Sequence, residues 1–532
     1  MSGRDASLTS GKLPAAHAEA KHLRILWRVV LWLAPLAVGA VLLTYRLEDV
    51  AGLFRDEAAV GLFAEWIIAG LRPTHGYFND YTAPMHSYMI ACVFAFFGES
   101  ITSLRASGVL TSLMAAGVYG DFVRRVAPDR ALWSLWFLVT LPAFVVFSRI
   151  AAEHYALNPL FLVSAAWSYQ AWANQSSVAL SRRGYFCAGL LLVLGIWNHL
   201  VFLPSAVALV VACVVASKKE LRPKFTLLPW FVAGTLLGAA PKIYGMWRNN
   251  DALVTLTNHL GKPDDFLSAV WNFVYGLGGD GLFARMCGEV ILSLNWVLPV
   301  AALLSLFVHY ATRLAGDRRR LSTGILLFIA LSFVGTWAMT PHFKLDARVW
   351  QLSMWGVPLL MALALPQSPT WLRRAIGTLI VCANLVAIGM NYFYGFLTTG
   401  GATGKVYVGG RVMPCSDFMD VRPVVRKFER TRGVPLYLHD ITLHRIEFLL
   451  PRAERARSRP FPLLLTPETA FEQHSLIALR RDVVARAPHT FRLGASGLER
   501  VEALGTRHFF VYRVVVDRLP QTAAASANGD AK

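Results

Sequence analysis

Charge is scarce in this chain. Only 16% of its 532 residues are Asp, Glu, Lys or Arg, where soluble domains carry roughly 25%. With 55% of the residues hydrophobic, the solvent of most of the chain is hydrocarbon, which excludes an ordinary soluble enzyme. Acidic charge is scarcer still, at 33 residues against 52 basic ones. In a soluble protein a net charge of +19 would suggest nucleic acid. Here the basic residues fall in short loops between apolar runs, the positive-inside pattern. Anionic lipid headgroups, not nucleic acid, are the expected electrostatic partner. Cysteine is rare too: six residues and no CxxC. Cys187, Cys213 and Cys382 lie in apolar runs and read as small core residues. Cys287 and Cys415 could both face outside, but nothing in the sequence brings them together. Histidine never takes an HxH or HExxH spacing, so His154, His199 and His259 read as hydrogen-bonding or headgroup residues before metal ligands. Gly276-Leu277-Gly278-Gly279 follows no strand and leads to no Walker lysine, so a nucleotide cradle has little support.

What is present is a series of long apolar runs. They predict spans near 25–45, 103–122, 131–148, 155–174, 185–199, 200–217, 226–244, 288–310, 322–340, 350–365 and 372–394, about 11 helices. The first, Ile25 to Tyr45, is longer than the apolar core of a cleavable signal. Lys12, Lys21, Arg24 and Arg28 hold the tail 1–24 in the cytoplasm. Arg124-Arg125, Arg182-Arg183, Lys218-Lys219, Arg318-Arg319-Arg320 and Arg373-Arg374 then all fall inside. That agreement requires Met85–Phe97 not to span. Its run of about 14 apolar residues suits an interfacial helix. Ala58–Leu71 is predicted to be a second such helix, amphipathic, with Leu62, Trp66 and Ala69 set against Glu65.

The outer face collects loops 46–102 and 245–287 and the chain after about 395. Loop 245–287 is long enough to be a binding element, although Asp264-Asp265 within it reads first as a helix cap. The segment 395–520 carries short β-like runs at Pro435–Leu438 and His508–Val516 among Arg-rich and Pro-rich stretches, and predicts a small α/β domain outside the membrane. The tail 521–532 reads as disordered.

Chemistry concentrates at two acidic elements on that face. Arg55-Asp56-Glu57 follows the first span, and Arg149-Ile150-Ala151-Ala152-Glu153-His154 follows the third. The residues alone leave helix caps and a catalytic pair both open, because carboxylates also favour helix N-termini. Two carboxylate sites on one leaflet, each beside an arginine, suit a sugar hydroxyl and an anionic leaving group. A third cluster is Thr340-Pro341-His342-Phe343-Lys344-Leu345-Asp346-Ala347-Arg348.

The order of these features resembles the membrane-embedded GT-C glycosyltransferases, particularly the protein O-mannosyltransferase and aminoarabinose-transferase relatives. Tyr81-Thr82-Ala83-Pro84-Met85 resembles that superfamily's step into a juxtamembrane helix. Phe97-Gly98-Glu99-Ser100 with Leu104-Arg105-Ala106-Ser107 resembles its entry to the next span, and Arg149–Glu153 its second acidic motif. The match is close over 25–175 and elsewhere only a pattern of spans. The resemblance implies an all-α polytopic GT-C-like fold with an outer C-terminal domain. It implies transfer of a sugar from a polyprenyl-phosphate donor to a glycan, lipid or protein acceptor. Asp56 is then the general base, with Glu57 and Glu153 as further catalytic candidates. Arg55, Tyr81, Arg105, Arg149, His154, His342, Lys344 and Arg348 are candidates for substrate binding. Where relatives often show Asp with another acid, this chain has Glu153-His154; the resemblance fixes no cofactor and leaves a divalent cation open. The expected location is a bacterial inner membrane, with the N-terminus cytoplasmic and the C-terminal domain periplasmic. The competing class is a transporter or flippase of an anionic lipid, which would hold its ionisable residues near the bilayer midplane.

Overall fold

The computed structural model describes residues 13–74, 82–173, 177–216, 225–249, 266–277, 316–339 and 351–399, and beyond these the strands and short segments named below. The helical part runs α1 (Leu13–Thr44), α2 (Arg55–Ile68), α3 (Met85–Phe97), α4 (Ile101–Val126), α5 (Ala131–Thr140), α6 (Pro142–Ser148) and α7 (Glu153–Ser168). It continues with α8 (Val178–Asn198), α9 (Phe202–Ala216), α10 (Leu228–Asn249), α11 (Phe266–Leu277) and α12 (Gly316–Met339). It closes with α13 (Gln351–Met354), α14 (Val357–Ala364), α15 (Thr370–Ala387) and α16 (Gly395–Thr399). Wide π turns at Tyr169–Ala173 and Ile388–Tyr394 extend α7 and α15.

Among the described residues, Ile101–Val126, Val178–Asn198, Arg318–Met339 and Thr370–Leu397 are long and apolar enough to cross a membrane. Val29–Thr44, Phe202–Ala216 and Gln351–Ala364 are apolar but shorter. Length and composition therefore do not reach the expected count of about eleven, and the run 288–310 lies outside the described residues. The predicted span 131–148 is two helices bent by 58°. Pro142, at the first turn of α6, cannot donate a backbone N–H and ends the ladder of α5. From Ser134 to Ile150 most of this pair is buried, with Phe137, Val139, Val145 and Val146 at 0% exposure. A helix apolar on every side belongs at the centre of a bundle, and α1, α4, α14 and α15 pack around α5.

Two devices hold helices together where water cannot help. Gly234 and Gly238 on α10 form a small-xxx-small pair facing α8. A Cβ at Gly234 would strike the backbone carbonyl of Phe186, and one at Gly189 that of Phe231, so only glycine permits this approach. Ser205, Ser332 and Ser353 form a hydroxyl chain across α9, α12 and α13, at 2.6 and 2.7 Å. Buried hydroxyls in apolar surroundings satisfy one another.

The amphipathic reading of α2 is corrected. Glu65 is buried at 5% exposure, whereas Trp66 is 48% exposed and Ala69 is exposed as well. The helix is enclosed by α3, α4 and Phe448 of the C-terminal part, which leaves Glu57 through Glu65 buried. At Gly61 a Cβ would lie 2.6 Å from the Phe448 ring.

The described C-terminal part holds a hairpin, β1 (Gly404–Val408) with β2 (Arg411–Cys415), helix α17 (Arg422–Phe428), and six further strands. These are β3 (Leu436–Leu438), β4 (Ser458–Pro460), β5 (Leu476–Arg480), β6 (Thr490–Leu493), β7 (Ser496–Arg500) and β8 (Phe509–Val515). They form one mixed sheet in the order β4-β3-β5-β8-β7-β6. Val421, Val424, Val425 and Phe428 pack beside Leu436, Leu450 and Leu476 as its core. Residue 287 lies outside the described residues, so the pairing of Cys287 with Cys415 has no structural counterpart.

Candidate active site

The loop 45–54, which follows α1, is fastened by two buried arginines from elsewhere in the chain. Arg46 stops α1 in the left-handed region, at φ 46°, and the loop then turns its carbonyls inward. Arg149 donates to the carbonyls of Leu42 and Leu43, both at 2.9 Å, and of Arg46 and Val50, at 3.2 and 2.7 Å. It thus caps the last turn of α1, where the helix dipole favours a cation. Its guanidinium also lies 5.6 and 5.3 Å from the ring centroids of Tyr392 and Phe393.

Arg105 completes the clamp. It donates to the carbonyls of Leu47, Ala51 and Gly52 at 2.8, 2.9 and 3.1 Å. Its Nε and Nη2 meet Glu57 Oε1 and Oε2, each at 2.9 Å. All five guanidinium N–H groups therefore have acceptors in a fork no lysine could copy. Glu57 Oε1 also accepts from the Ala151 N–H at 3.0 Å, and Oε2 from the Phe54 N–H at 3.2 Å. The second bond is the reach-back of a helix-capping carboxylate. One side chain at 0% exposure joins the start of α2, α4 and the strap 149–152.

This geometry revises several expected roles. The motifs at 55–57, 105 and 149–152 do meet. Yet Arg105 and Arg149, each 1% exposed, hold carbonyls and Glu57 where phosphate was expected. Glu57 accepts four hydrogen bonds, all from its own chain, an arrangement that suits a positioning residue. Asp56, one residue earlier in the same first turn, is partly exposed, as is Arg55. The backbone of Glu153 and His154 opens α7, but their side chains lie outside the described residues. So do Tyr81, His342, Lys344 and Arg348.

Around this clamp stand further polar residues, of which sequence patterns did not single out His86, Asn158, Asp49 or Arg422. His86 on α3 is fully buried, with Nε2 3.1 Å from Ser107 Oγ. Burial pushes its pKa down to about 3, so it is neutral. Thr82 bridges to His199, and the Ala83 N–H donates to the Asn198 carbonyl at 3.0 Å, which docks the end of the loop on the α8–α9 turn. The Asn198 amide donates to Asn158 Oδ1 at 2.8 Å. Single polar residues in apolar runs are the only sequence signal for such pairs. Arg422 meets Asp49 at 3.0 Å and ties the C-terminal part to the same loop. The Arg422 guanidinium, seconded by Arg46, holds the Asp49 carboxyl below its ordinary value. Among the described residues, no group of three or more His, Cys, Asp or Glu is placed to hold a metal ion.

No family model matches the chain, and neither does any curated protein. Solved structures do. ArnT from Cupriavidus metallidurans bound to undecaprenyl phosphate aligns with a TM-score of 0.56 at 14% identity, over 93% of this chain and 99% of that one. The apo state of the same protein aligns at 0.52 and 14%, over 94% and 98%. The chain shares the fold of these structures. At this identity the likeness concerns the fold alone.

Proposed function

We propose that this protein is an integral membrane glycosyltransferase. It moves a sugar from a polyprenyl-phosphate donor to a glycolipid, polysaccharide or protein at the outer face of the cytoplasmic membrane. One observation carries the reading. Two adjacent carboxylates sit on one helical turn; Glu57 is saturated and buried, while Asp56 stands partly exposed beside it on a rigid platform. Catalytic groups need such support, because a misplaced base loses most of its advantage. The shared fold adds a donor class, since the ArnT structure holds undecaprenyl phosphate.

In this mechanism the acceptor hydroxyl oxygen attacks the anomeric carbon and gives its proton to Asp56. The bond from that carbon to the phosphate oxygen breaks, and polyprenyl phosphate leaves as an anion. A positioned base typically contributes 10²–10⁴-fold. A single displacement inverts the anomeric carbon; retention would need a nucleophilic carboxylate. With Arg105 and Arg149 engaged, stabilisation of the leaving phosphate falls to Arg55, His342, Lys344 and Arg348. The chain rejoins the described residues at Gln351, whose amide donates to the Tyr155 carbonyl at 3.2 Å, two residues from Glu153. Glu153 and His154 are assigned to the acceptor side, and Tyr81 to stacking on sugar.

The test supplies purified wild type and Asp56→Asn with a panel of polyprenyl-phosphate sugars and an envelope acceptor mixture, with and without EDTA. The expected result is free polyprenyl phosphate from the wild type only. No release from any donor by folded protein would refute the proposal, and the EDTA lane decides metal dependence.

A further inference from the structure

At the opposite end of α4 from Arg105, roughly 30 Å away along the helix, lies a second arginine cluster with the reverse character. Arg130 precedes α5 and is 1% exposed. Its Nε is 3.1 Å from Asp129 Oδ2, outside hydrogen-bond geometry, and its buried Nη1 has no partner. Arg318, in the first turn of α12, donates to the same Asp129 oxygen at 3.0 Å. Arg373 lies in the first turn of α15, whose Gly377 packs against Trp133 of α5. Burial lowers the affinity of Arg130 for its proton, Asp129 opposes this, and the charges of Arg373 and Arg318 add to it.

Among the described side chains, Arg130 and Arg318 share the Asp129 carboxylate and Arg373 adds its charge to Arg130, all at the ends of helices whose dipoles are also positive there. Helix N-termini favour anions; guanidiniums there, one of them buried with its Nη1 unpaired, leave the cluster short of negative charge among the described residues. Trp371, 67% exposed beside Arg373, marks headgroup depth.

We propose that Arg130, Arg318 and Arg373 form a binding site for a phosphate group at the membrane face opposite the candidate active site. The forked guanidiniums take its oxygens, and Asp129 spaces Arg130 and Arg318 around it. Basic pockets between helices on the cytoplasmic side suit phospholipid headgroups. Free phosphate offers the same chemistry.

The full chain in detergent is compared with the Arg318→Gln/Arg373→Gln double variant by thermal shift. The additions are phosphatidylglycerol, phosphatidylcholine and inorganic phosphate. Phosphatidylglycerol is expected to raise the wild-type Tm where phosphatidylcholine does not, and the variant to require roughly 30-fold more lipid for the same response. An equal response to inorganic phosphate, lost in the variant, supports the site with free phosphate as its ligand. Identical responses of wild type and variant in every arm overturn the proposal. If the double variant does not fold, Arg373→Gln alone gives the same reading at roughly fivefold.

Discussion

The two ends of α4 carry the same residue type in opposite states. At the N-terminal end, Arg105 has an acceptor for each of its five donors and Glu57 has four donors for its two oxygens. At the C-terminal end, Arg130 is as deeply buried, yet its Nη1 has no partner. The difference separates architecture from recognition. A buried charge whose partners all come from its own chain fixes geometry. A buried charge left short of partners carries a desolvation cost that a ligand relieves. One turn of α2 shows a difference in exposure alone, between buried Glu57 and partly exposed Asp56.

The sharpest way to break this contrast is to change the two carboxylates separately. Asp56→Asn is predicted to lower turnover by about 10²–10⁴-fold at unchanged Tm, measured by polyprenyl-phosphate release. A large loss of stability instead would make Asp56 part of the clamp. Glu57→Gln should act the other way: with Arg105 left buried beside a neutral amide, folding stability falls by about 3–5 kcal/mol. Denaturation in detergent reads this directly, and a stable Glu57→Gln protein would sink the positioning role.

Smaller effects test how the C-terminal part rests on the loop. Gly61→Ala sets a methyl group 2.6 Å from the Phe448 ring and is expected to cost about 1–3 kcal/mol. Phe448→Leu in the same chain should restore part of that loss. Last, Asp49→Asn removes a partly exposed ion pair worth under about 1 kcal/mol. Because the folded carboxyl is depressed, its contribution is complete above the unfolded value of about 3.9 and fades as pH falls through the folded one. The wild-type advantage over Asp49→Asn is therefore predicted to vanish in acid; a gap that persisted at pH 2 would exclude the ion pair as its source.

Much of the helical frame was legible because bilayer solvent imposes one rule, an apolar run of sufficient length. The runs near 103–122, 185–199, 322–340 and 372–394 all meet helices. The role of each arginine was not legible. Arg105 and Arg149 look like phosphate ligands as sequence, since nothing local distinguishes a guanidinium facing a ligand from one facing Leu47 or Val50. Glu65 and Trp66 exchanged faces for a related reason: amphipathicity assumes water or headgroups on one side, and Phe448, 383 residues after Glu65 in number, replaces that environment.

By itself, the sequence determined that the chain belongs in a membrane, where its basic loops lie relative to its apolar runs, and which short motifs hold carboxylates near arginines. Hydropathy and charge act locally, so a linear pattern records them. Only the tertiary structure decided that Glu57, Arg105 and Ala151 meet, that Asp56 is the carboxylate left partly exposed, and that Arg130 is buried short of acceptors. Those outcomes depend on hydrogen bonds between residues 48 and 94 positions apart, and whether a polar group is satisfied is a property of the space around it.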